Sequence, residues 1–217
     1  MSTDTVQLAW LTLSWVGYGA IHSISASLRF KTWIATRVPS IVPAYRLLYN
    51  GVATVMLVPP LWLLYTYPGP QLWHFPTPVR WLADGVALLA VATFFHSLKF
   101  YDTGEFIGVK QWRTGACGVE DRAPMTLSWL HRYVRHPWYF LGLLVLWTRE
   151  ADAALLLSNL LITLYLVVGS RLEENKLVAL YGDRYRRYRT KVPGLLPLPW
   201  RYLSRTEARE LTGDAFN

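Results

Sequence analysis

A short polar string lies just before an apolar segment in the second half of the chain. It reads Arg135-His136-Pro137-Trp138-Tyr139. Arginine can hold an anion, and histidine and tyrosine can donate or accept hydrogen bonds. Proline suits the first turn of a helix, because the N–H that it lacks has no partner there. Such a string at a membrane surface could place polar groups where a water-soluble cofactor meets a lipophilic substrate.

Two consecutive carboxylates, Glu173 and Glu174, follow the next long apolar segment. If the two apolar segments form a helical hairpin, these carboxylates lie at the same level as Arg135 and His136. The pattern predicts an ion pair between Arg135 and one of the two carboxylates. Such a pair could be purely structural or could belong to a binding site, and the residue types alone leave both interpretations open.

The composition excludes several classes of protein. The chain has 217 residues, of which 53% are hydrophobic and 17% charged, and it contains one cysteine. Disordered chains have low hydrophobicity, and disulfide scaffolds need paired cysteines. The formal net charge of +8 would suit a nucleic-acid partner only if the basic residues shared one soluble face.

Five apolar segments are long enough, or nearly so, to cross a hydrocarbon layer of about 30 Å. They cover approximately residues 6–28, 46–66, 79–98, 136–149 and 152–170. We therefore predict an all-α, polytopic membrane protein with about five transmembrane helices, forming a single domain over residues 1–217. The segments at about 99–137 and 171–200 remain outside the membrane.

The positions of the basic residues predict the orientation. Twenty of the 22 lysines and arginines fall on one side of these spans, and only Arg80 and Arg149 fall on the other. By the positive-inside rule the N-terminus is outside and the C-terminus is cytoplasmic. This placement argues against a nucleic-acid partner and places the two long segments between and after the spans in the cytoplasm.

Local patterns give further expectations. Pro59 and Pro60 should break the second span. Residues 171–188 should form an amphipathic helix that emerges from the membrane, with Leu177, Leu180, Tyr181, Tyr185 and Tyr188 on its apolar side. Asp84 should pair near the outer interface, and Cys117 should be a reduced thiol in a cytoplasmic loop.

Two intramembrane histidines, His22 and His96, need separate consideration. Ionisable residues in a membrane are functional candidates, so a metal or haem site that they form with His136 is conceivable. The alternative, which we favour, is that each ring is neutral and hydrogen-bonds a neighbouring helix. We therefore predict no metal ligands.

The motifs together carry a family resemblance. The chain resembles the C-terminal half of the isoprenylcysteine carboxyl methyltransferase family over roughly residues 130–200. The residues that carry it are Arg135-His136-Pro137-x-Tyr139, Glu173-Glu174, Tyr181-Gly182-x-x-Tyr185-x-x-Tyr188 and Val192-Pro193. Residues 102–112 are more similar to the methanethiol S-methyltransferase and NnrU-type branches of the wider group. Residues 22–27 and 45–50 are similar to the NnrU-type branch. Gly142 lies one position later than the corresponding glycine of many relatives.

The resemblance implies an S-adenosylmethionine-dependent methyltransferase of a bacterial inner membrane, with its active site facing the cytoplasm. The segments at about 99–137 and 171–200 would bind the cofactor. Arg135 and Glu174 would be the catalytic residues. The residues that would bind S-adenosylmethionine are His136, Pro137, Tyr139, Glu173, Glu174 and Tyr185.

The residues of the motifs do not identify the methyl acceptor. The resemblance favours a small or lipophilic acceptor, with a thiol first and a prenyl carboxylate or a phospholipid amine as alternatives. An alternative of another class is a non-catalytic NnrU-type membrane factor that binds metal, haem or a partner protein. The expected partners are the acceptor and membrane lipid, and the pattern predicts no oligomeric state.

Overall fold

Helices dominate the structure. The computed structural model describes residues 3–115 and 125–212. Its helices are α1 (Thr3–Ala26), α2 (Leu28–Arg37), α3 (Tyr45–Met56), α4 (Val58–Thr66), α5 (Thr77–Ser97), α6 (Thr103–Ile107), α7 (Val109–Thr114), α8 (Pro137–Trp147), α9 (Ala153–Tyr181), α10 (Asp183–Lys191) and α11 (Arg205–Thr212). Short 3-10 turns occupy Pro39–Ala44, Leu98–Phe100 and Trp129–Arg132. Two very short strands, β1 (Gln71–Trp73) and β2 (Ala151–Asp152), pair antiparallel, a ribbon that the all-α prediction missed.

Within the described residues, three helical stretches are long and apolar enough to cross a membrane. They are Pro39–Thr66, Thr77–Phe100 and Ala153–Tyr181, and they contain nearly all of the predicted spans at 46–66, 79–98 and 152–170. The segment at 136–149 forms the shorter apolar helix α8 of 11 residues. The segment at 6–28 forms the 24-residue helix α1. The number of crossings and their orientation stay predictions.

The expected break in the second span is confirmed. Helix α3 ends at Met56 and α4 begins at Val58, with Pro59 and Pro60 at the start of α4. Prolines are tolerated in a first helical turn, because the N–H groups there have no partner within the helix. The break therefore falls just ahead of the two prolines.

The amphipathic segment after the last span is divided in two, where we expected one helix. Helix α9 runs to Tyr181, and Gly182, with a φ of 58°, separates it from α10. A positive φ is readily adopted by glycine, which has no Cβ. The predicted apolar side is present in part, because Leu177 and Tyr181 pack against the core that contains Tyr185 and Tyr188. The placement of Leu180 on that side is wrong: it is 50% exposed, since it lies about 100° around the helix from Tyr181.

The chain divides into two compact units, with a boundary inside α9. The first contains residues 3–74, 101–115 and 150–162 of the described chain, and the second contains 75–100, 125–149 and 163–212. In the first unit α6 and α7 are fixed to α3, because Arg46 donates to the carbonyl of Glu105 at 2.8 Å. Gly108, with a φ of 102°, lies so close that an added Cβ would be 2.8 Å from that of Arg46.

In the second unit α8 packs against α5. The indole N–H of Trp138 donates to the hydroxyl of Ser97 at 2.8 Å. At the other end of α8, Arg149 Nη1 lies 2.8 Å from Asp84 Oδ1, which confirms the expected pairing of Asp84. Beyond the apolar helices a separate hydrophobic core forms from Met125, Leu127, Tyr185, Tyr188, Val192, Leu203, Ala208 and Leu211.

Candidate functional site

The candidate site lies in the second unit, where the chain enters α8. Pro137 is the first residue of this helix, as predicted, and His136 is its N-cap residue. Two backbone hydrogen bonds fix the residues just before the helix. The N–H of Arg135 donates to the carbonyl of Pro193 at 2.9 Å, and that of His136 to the carbonyl of Gly194 at 3.1 Å. A strap of chain that follows α10, residues 192–194, therefore runs beside the start of α8.

Arg135 forms the predicted ion pair with Glu174. Its Nε and Nη2 atoms lie 2.8 and 2.7 Å from Glu174 Oε1. Its Nη1 atom donates to the carbonyl of Arg189 at 3.0 Å and also to the carbonyl of Val192. All three guanidinium nitrogens thus donate within the protein. Arginine suits this position because its planar group offers several donors in fixed directions.

Glu174 is the buried carboxylate that both Arg135 and His136 contact. Its side chain is only 9% exposed, and Oε1 also lies 3.1 Å from Nε2 of His136. A buried carboxylate is costly unless it is paired and hydrogen-bonded, and here two cationic or donor side chains surround it. Among the described residues, the side-chain contacts of Glu174 all go to Oε1. The second oxygen, Oε2, is therefore available as an acceptor.

The neighbouring Glu173 has a different environment. Its side chain is 48% exposed, and Oε2 lies 3.4 Å from His136 Nδ1. The hydroxyl of Tyr139 donates to the same carboxylate oxygen at 3.4 Å. The rings of His136 and Tyr139 are nearly parallel, with centroids 5.2 Å apart. The two carboxylates therefore differ in access, with Glu173 facing outward and Glu174 enclosed.

Gly194 of the strap lies close to the ion pair. A Cβ added to Gly194 would lie 3.3 Å from Arg135 Nη2 and 3.8 Å from Glu174 Oε1. A side chain at this position would press on the ion pair. This contact was not predicted from the sequence, because no local pattern signals it, and Val192 and Pro193 entered only through the family resemblance.

Tyr185 is more enclosed than the other predicted site residues. It is 3% exposed, and its ring centroid is 5.6 Å from that of Tyr188. Burial raises the pKa of Tyr185 above its ordinary value, so the phenol stays neutral. The structure brings Arg135, His136, Tyr139, Glu173 and Glu174 together, and Tyr185 supports them from the core. The roles of all these residues toward a cofactor stay predictions.

In the part of the chain that the structure describes, His22, His96 and His136 do not form the metal site that was considered from the sequence. No group of three or more His, Cys, Asp or Glu side chains there could hold a metal ion. His22 hydrogen-bonds Tyr49 of α3 through Nε2 at 2.6 Å, as the favoured interpretation predicted. The ring of His96 contacts Phe100, with centroids 6.2 Å apart. Cys117 lies outside the described residues.

His131 is a residue of this region that the sequence analysis did not single out. Its Nδ1 accepts a hydrogen bond from the backbone N–H of Ser128 at 3.2 Å and lies 2.9 Å from the hydroxyl of Ser128. Its carbonyl accepts from the hydroxyl of Tyr188 at 2.7 Å. Burial, reinforced by the neighbouring His136, lowers the pKa of His131 to about 4. The ring is therefore neutral at neutral pH and fixes the turn that leads to Arg135.

We expect His131 to make the protein less stable in acid. In the unfolded chain this ring takes up a proton below its ordinary pKa of 6.5, whereas the folded protein resists until about pH 4. Stability therefore falls as pH decreases between these values, by on the order of 3 kcal/mol in total. Thermal unfolding of His131→Gln should show a weaker dependence on pH between 7 and 4.5 than the wild type. Parallel curves for the two proteins would contradict the assignment.

The fold is that of a mostly helical membrane protein, and the cluster lies where the sequence predicted an ion pair. The chain has three helical stretches of membrane-crossing length within the described residues, and a buried Arg–Glu–His cluster beside the start of an apolar helix. This is the arrangement that the resemblance to integral membrane methyltransferases implied.

Comparison with known proteins agrees with this class. The chain is 35% identical over 192 residues to a methanethiol S-methyltransferase of Mycobacterium tuberculosis, covering 83% of this chain and 74% of the relative. It is 31% identical to that of Pseudomonas deceptionensis, covering 81% and 67%. It is 30% identical to methanethiol S-methyltransferase 1 of Bradyrhizobium diazoefficiens, covering 92% and 70%.

The chain belongs to the methanethiol S-methyltransferase family. It is accordingly a methyltransferase, and the predicted resemblance to the wider isoprenylcysteine carboxyl methyltransferase group is confirmed. No family model and no solved structure matches the chain.

Proposed function

We propose that the protein is an S-adenosylmethionine-dependent integral membrane methyltransferase that methylates the sulfur atom of a small thiol. One observation carries the proposal: relatives that align with most of this chain are named for the methylation of methanethiol. Methanethiol is therefore the first acceptor to test. The buried cluster around Glu174 supplies the site at which we expect the donor to bind.

The residues of the cluster suit the polar parts of S-adenosylmethionine. Carboxylate oxygens accept hydrogen bonds from amino and hydroxyl groups, which the donor has on its amino acid and ribose parts. Glu173 is half exposed, and Oε2 of Glu174 is free of the side-chain contacts that Oε1 makes among the described residues. The parallel rings of His136 and Tyr139 add a flat aromatic surface beside these acceptors. We infer that Glu173, Glu174, His136 and Tyr139 hold the donor.

The protein contributes mainly by positioning reactants and excluding water. When bound, S-adenosylmethionine supplies a methyl group on a cationic sulfur, and transfer to a thiol forms one carbon–sulfur bond, breaks another and releases the thiol proton. Holding two reactants in line can supply much of the rate enhancement of such a displacement. Glu173, the more exposed carboxylate, is the group we expect to accept that proton, directly or through water.

Arg135 contributes to this arrangement first as a positioning residue. Its guanidinium donates to Glu174 and to the carbonyls of Arg189 and Val192, so it orients the buried carboxylate and fixes the strap. A direct contact between Arg135 and an anionic acceptor, which the resemblance implies, stays a prediction. Pro137 shapes the turn by starting α8 directly after His136.

We further propose that the site faces the cytoplasm of a bacterial inner membrane. Two facts support this placement: the apolar helical stretches of the described chain, and the presence of twenty of the 22 basic residues on one side of the predicted spans. S-adenosylmethionine would then reach Glu173 from the cytosol. A volatile or lipophilic thiol could reach the same level from the bilayer.

Binding of S-adenosylhomocysteine tests the cofactor assignment. The purified protein should unfold at a higher temperature as the concentration of this product rises, because a ligand that binds only the folded state stabilises it. Adenosine triphosphate, which has the same adenosine part but a triphosphate in place of the amino acid part, serves as the control ligand. An unchanged unfolding temperature at millimolar S-adenosylhomocysteine would contradict the proposal and favour a non-catalytic membrane factor.

A panel of acceptors tests the substrate class. Methanethiol, a farnesylated cysteine and phosphatidylethanolamine are each offered with S-adenosylmethionine that carries a labelled methyl group. We expect label in the thioether product only. Label in the prenylcysteine ester or in the lipid amine alone would assign the protein to one of the alternative acceptor classes.

A further inference from the structure

A turn that precedes α11 exposes large apolar side chains in the second unit. Trp200 is 75% exposed, Leu196 61% and Tyr202 52%. The chain reverses here, because the N–H of Arg201 donates to the carbonyl of Leu198 at 3.0 Å and leaves Trp200 at the tip. Leu203, next in the chain, is fully buried in the core. The exposure thus belongs to a defined projection and not to loose packing.

Both ends of this turn are tied to the residues that lead into α8. After the turn, the N–H of Leu203 donates to the carbonyl of Arg132, and Arg132 Nε donates back to the carbonyl of Leu203, each at 2.9 Å. Before the turn, Gly194 accepts the hydrogen bond from His136. The turn is therefore held beside the point at which the chain begins its apolar helix at Pro137.

Aromatic rings and arginines surround the same point. The ring of Tyr202 stacks on that of Tyr133, with centroids 6.2 Å apart. The guanidinium of Arg132 lies over the Tyr133 ring at 5.3 Å, and Arg201 donates to the carbonyl of Thr190 at 2.6 Å. Trp, Tyr and Arg are the residue types that favour the boundary between hydrocarbon and water, where rings bury and charged groups meet phosphates.

We propose that the turn over residues 196–202 is an anchor that inserts into the headgroup region of the bilayer that holds α8. Trp200 and Leu196 supply its apolar contact, and Arg132 and Arg201 face lipid phosphates. The lipid surface is the occupant that fits, because the turn is fixed to the first residues of an apolar helix and because its charges are positive. The anchor also holds the strap at Gly194 against Arg135 and Glu174.

The effect of the anchor on the strap, and through it on the donor site, rests on the proposed function. If the strap needs the anchor, the affinity for S-adenosylhomocysteine depends on the bilayer. Leu196→Ser combined with Trp200→Ser should then weaken binding several-fold in lipid nanodiscs. Arg209→Ser, at an exposed position of α11, is the matched control and should bind as the wild type does.

Quenching of a fluorescent label by lipid measures where the turn lies and needs no catalytic activity. The only cysteine of the chain, Cys117, is replaced by serine, and a fluorescent label is placed at Trp200→Cys in nanodiscs that contain anionic phospholipid. Tyr202→Cys is the second labelled position, and Glu210→Cys, exposed on α11, is the control. Lipids with a spin label near the headgroup should quench positions 200 and 202 several-fold more than position 210.

Two other outcomes would each contradict the proposal that the turn inserts into the headgroup region. Stronger quenching of position 200 by aqueous iodide than by the labelled lipid would place the turn in water. Protection from both quenchers, together with a disulfide between two chains at position 200, would assign the surface to a second copy of the protein. Because the quenching needs no bound donor, it can succeed even if S-adenosylhomocysteine fails to bind, and the two proposals fail separately.

Discussion

Glu174→Gln is expected to lower methyl transfer by at least roughly a hundredfold and to weaken the binding of S-adenosylhomocysteine strongly. The amide keeps the size of the side chain but removes the negative charge that lies 2.7 Å from Arg135 and 3.1 Å from His136. Breaking a buried ion pair by removing one partner costs about 3–5 kcal/mol, because the other charge is left uncompensated. Binding is measured by calorimetry and stability by thermal unfolding in the same detergent.

Glu210→Gln is the matched control for this substitution. Glu210 lies on the exposed surface of α11, so the same chemical change should leave binding, activity and unfolding temperature unchanged. If Glu174→Gln binds S-adenosylhomocysteine with wild-type affinity, Glu174 is not part of the donor site. Lower stability with normal affinity would give the ion pair a purely structural role.

Arg135→Lys should release the strap while keeping the positive charge. A lysine has one compact ammonium group and cannot reach Glu174 and the carbonyls of Arg189 and Val192 together, as the planar guanidinium does. We expect roughly tenfold weaker binding of S-adenosylhomocysteine. Hydrogen exchange should become faster in residues 189–194, because the strap loses its contacts on one side.

Arg187→Lys, at an exposed position of α10, provides the comparison and should change neither quantity. The exchange measurement separates positioning from direct contact with the acceptor. Weaker activity with unchanged exchange in residues 189–194 would mean that Arg135 acts on the substrate and not through the strap.

Local patterns in the sequence were sufficient for the elements that carry the site. Proline at position 137 starts α8, and the break ahead of Pro59 follows from the missing backbone donors. Two apolar stretches joined by a few polar residues predicted that Arg135 would meet Glu173 or Glu174, and the structure shows the pair with Glu174. Each of these inferences used a property of one residue type or one short segment.

The long-range contacts that shape the site could not be predicted from local patterns in the sequence. The carbonyl of Val192 accepts from Arg135 across 57 residues of sequence, and no periodicity signals such a contact. The same holds for the ribbon formed by β1 and β2, since strands this short have no alternation to detect. Gly182, which divides α9 from α10, could have been recognised as a helix end, but the apolar spacing of tyrosines across it indicated one continuous helix.

Formation of dimethyl sulfide by the purified protein is the direct measure of thiol methylation. The protein in nanodiscs is supplied with methanethiol and with S-adenosylmethionine carrying a trideuterated methyl group, and the headspace is analysed by mass spectrometry. We expect trideuterated dimethyl sulfide from the wild type, and an amount roughly a hundredfold lower or less from Glu174→Gln. No labelled thioether from a folded wild-type protein that binds S-adenosylhomocysteine would contradict thiol methylation, and equal product from both proteins would contradict the site.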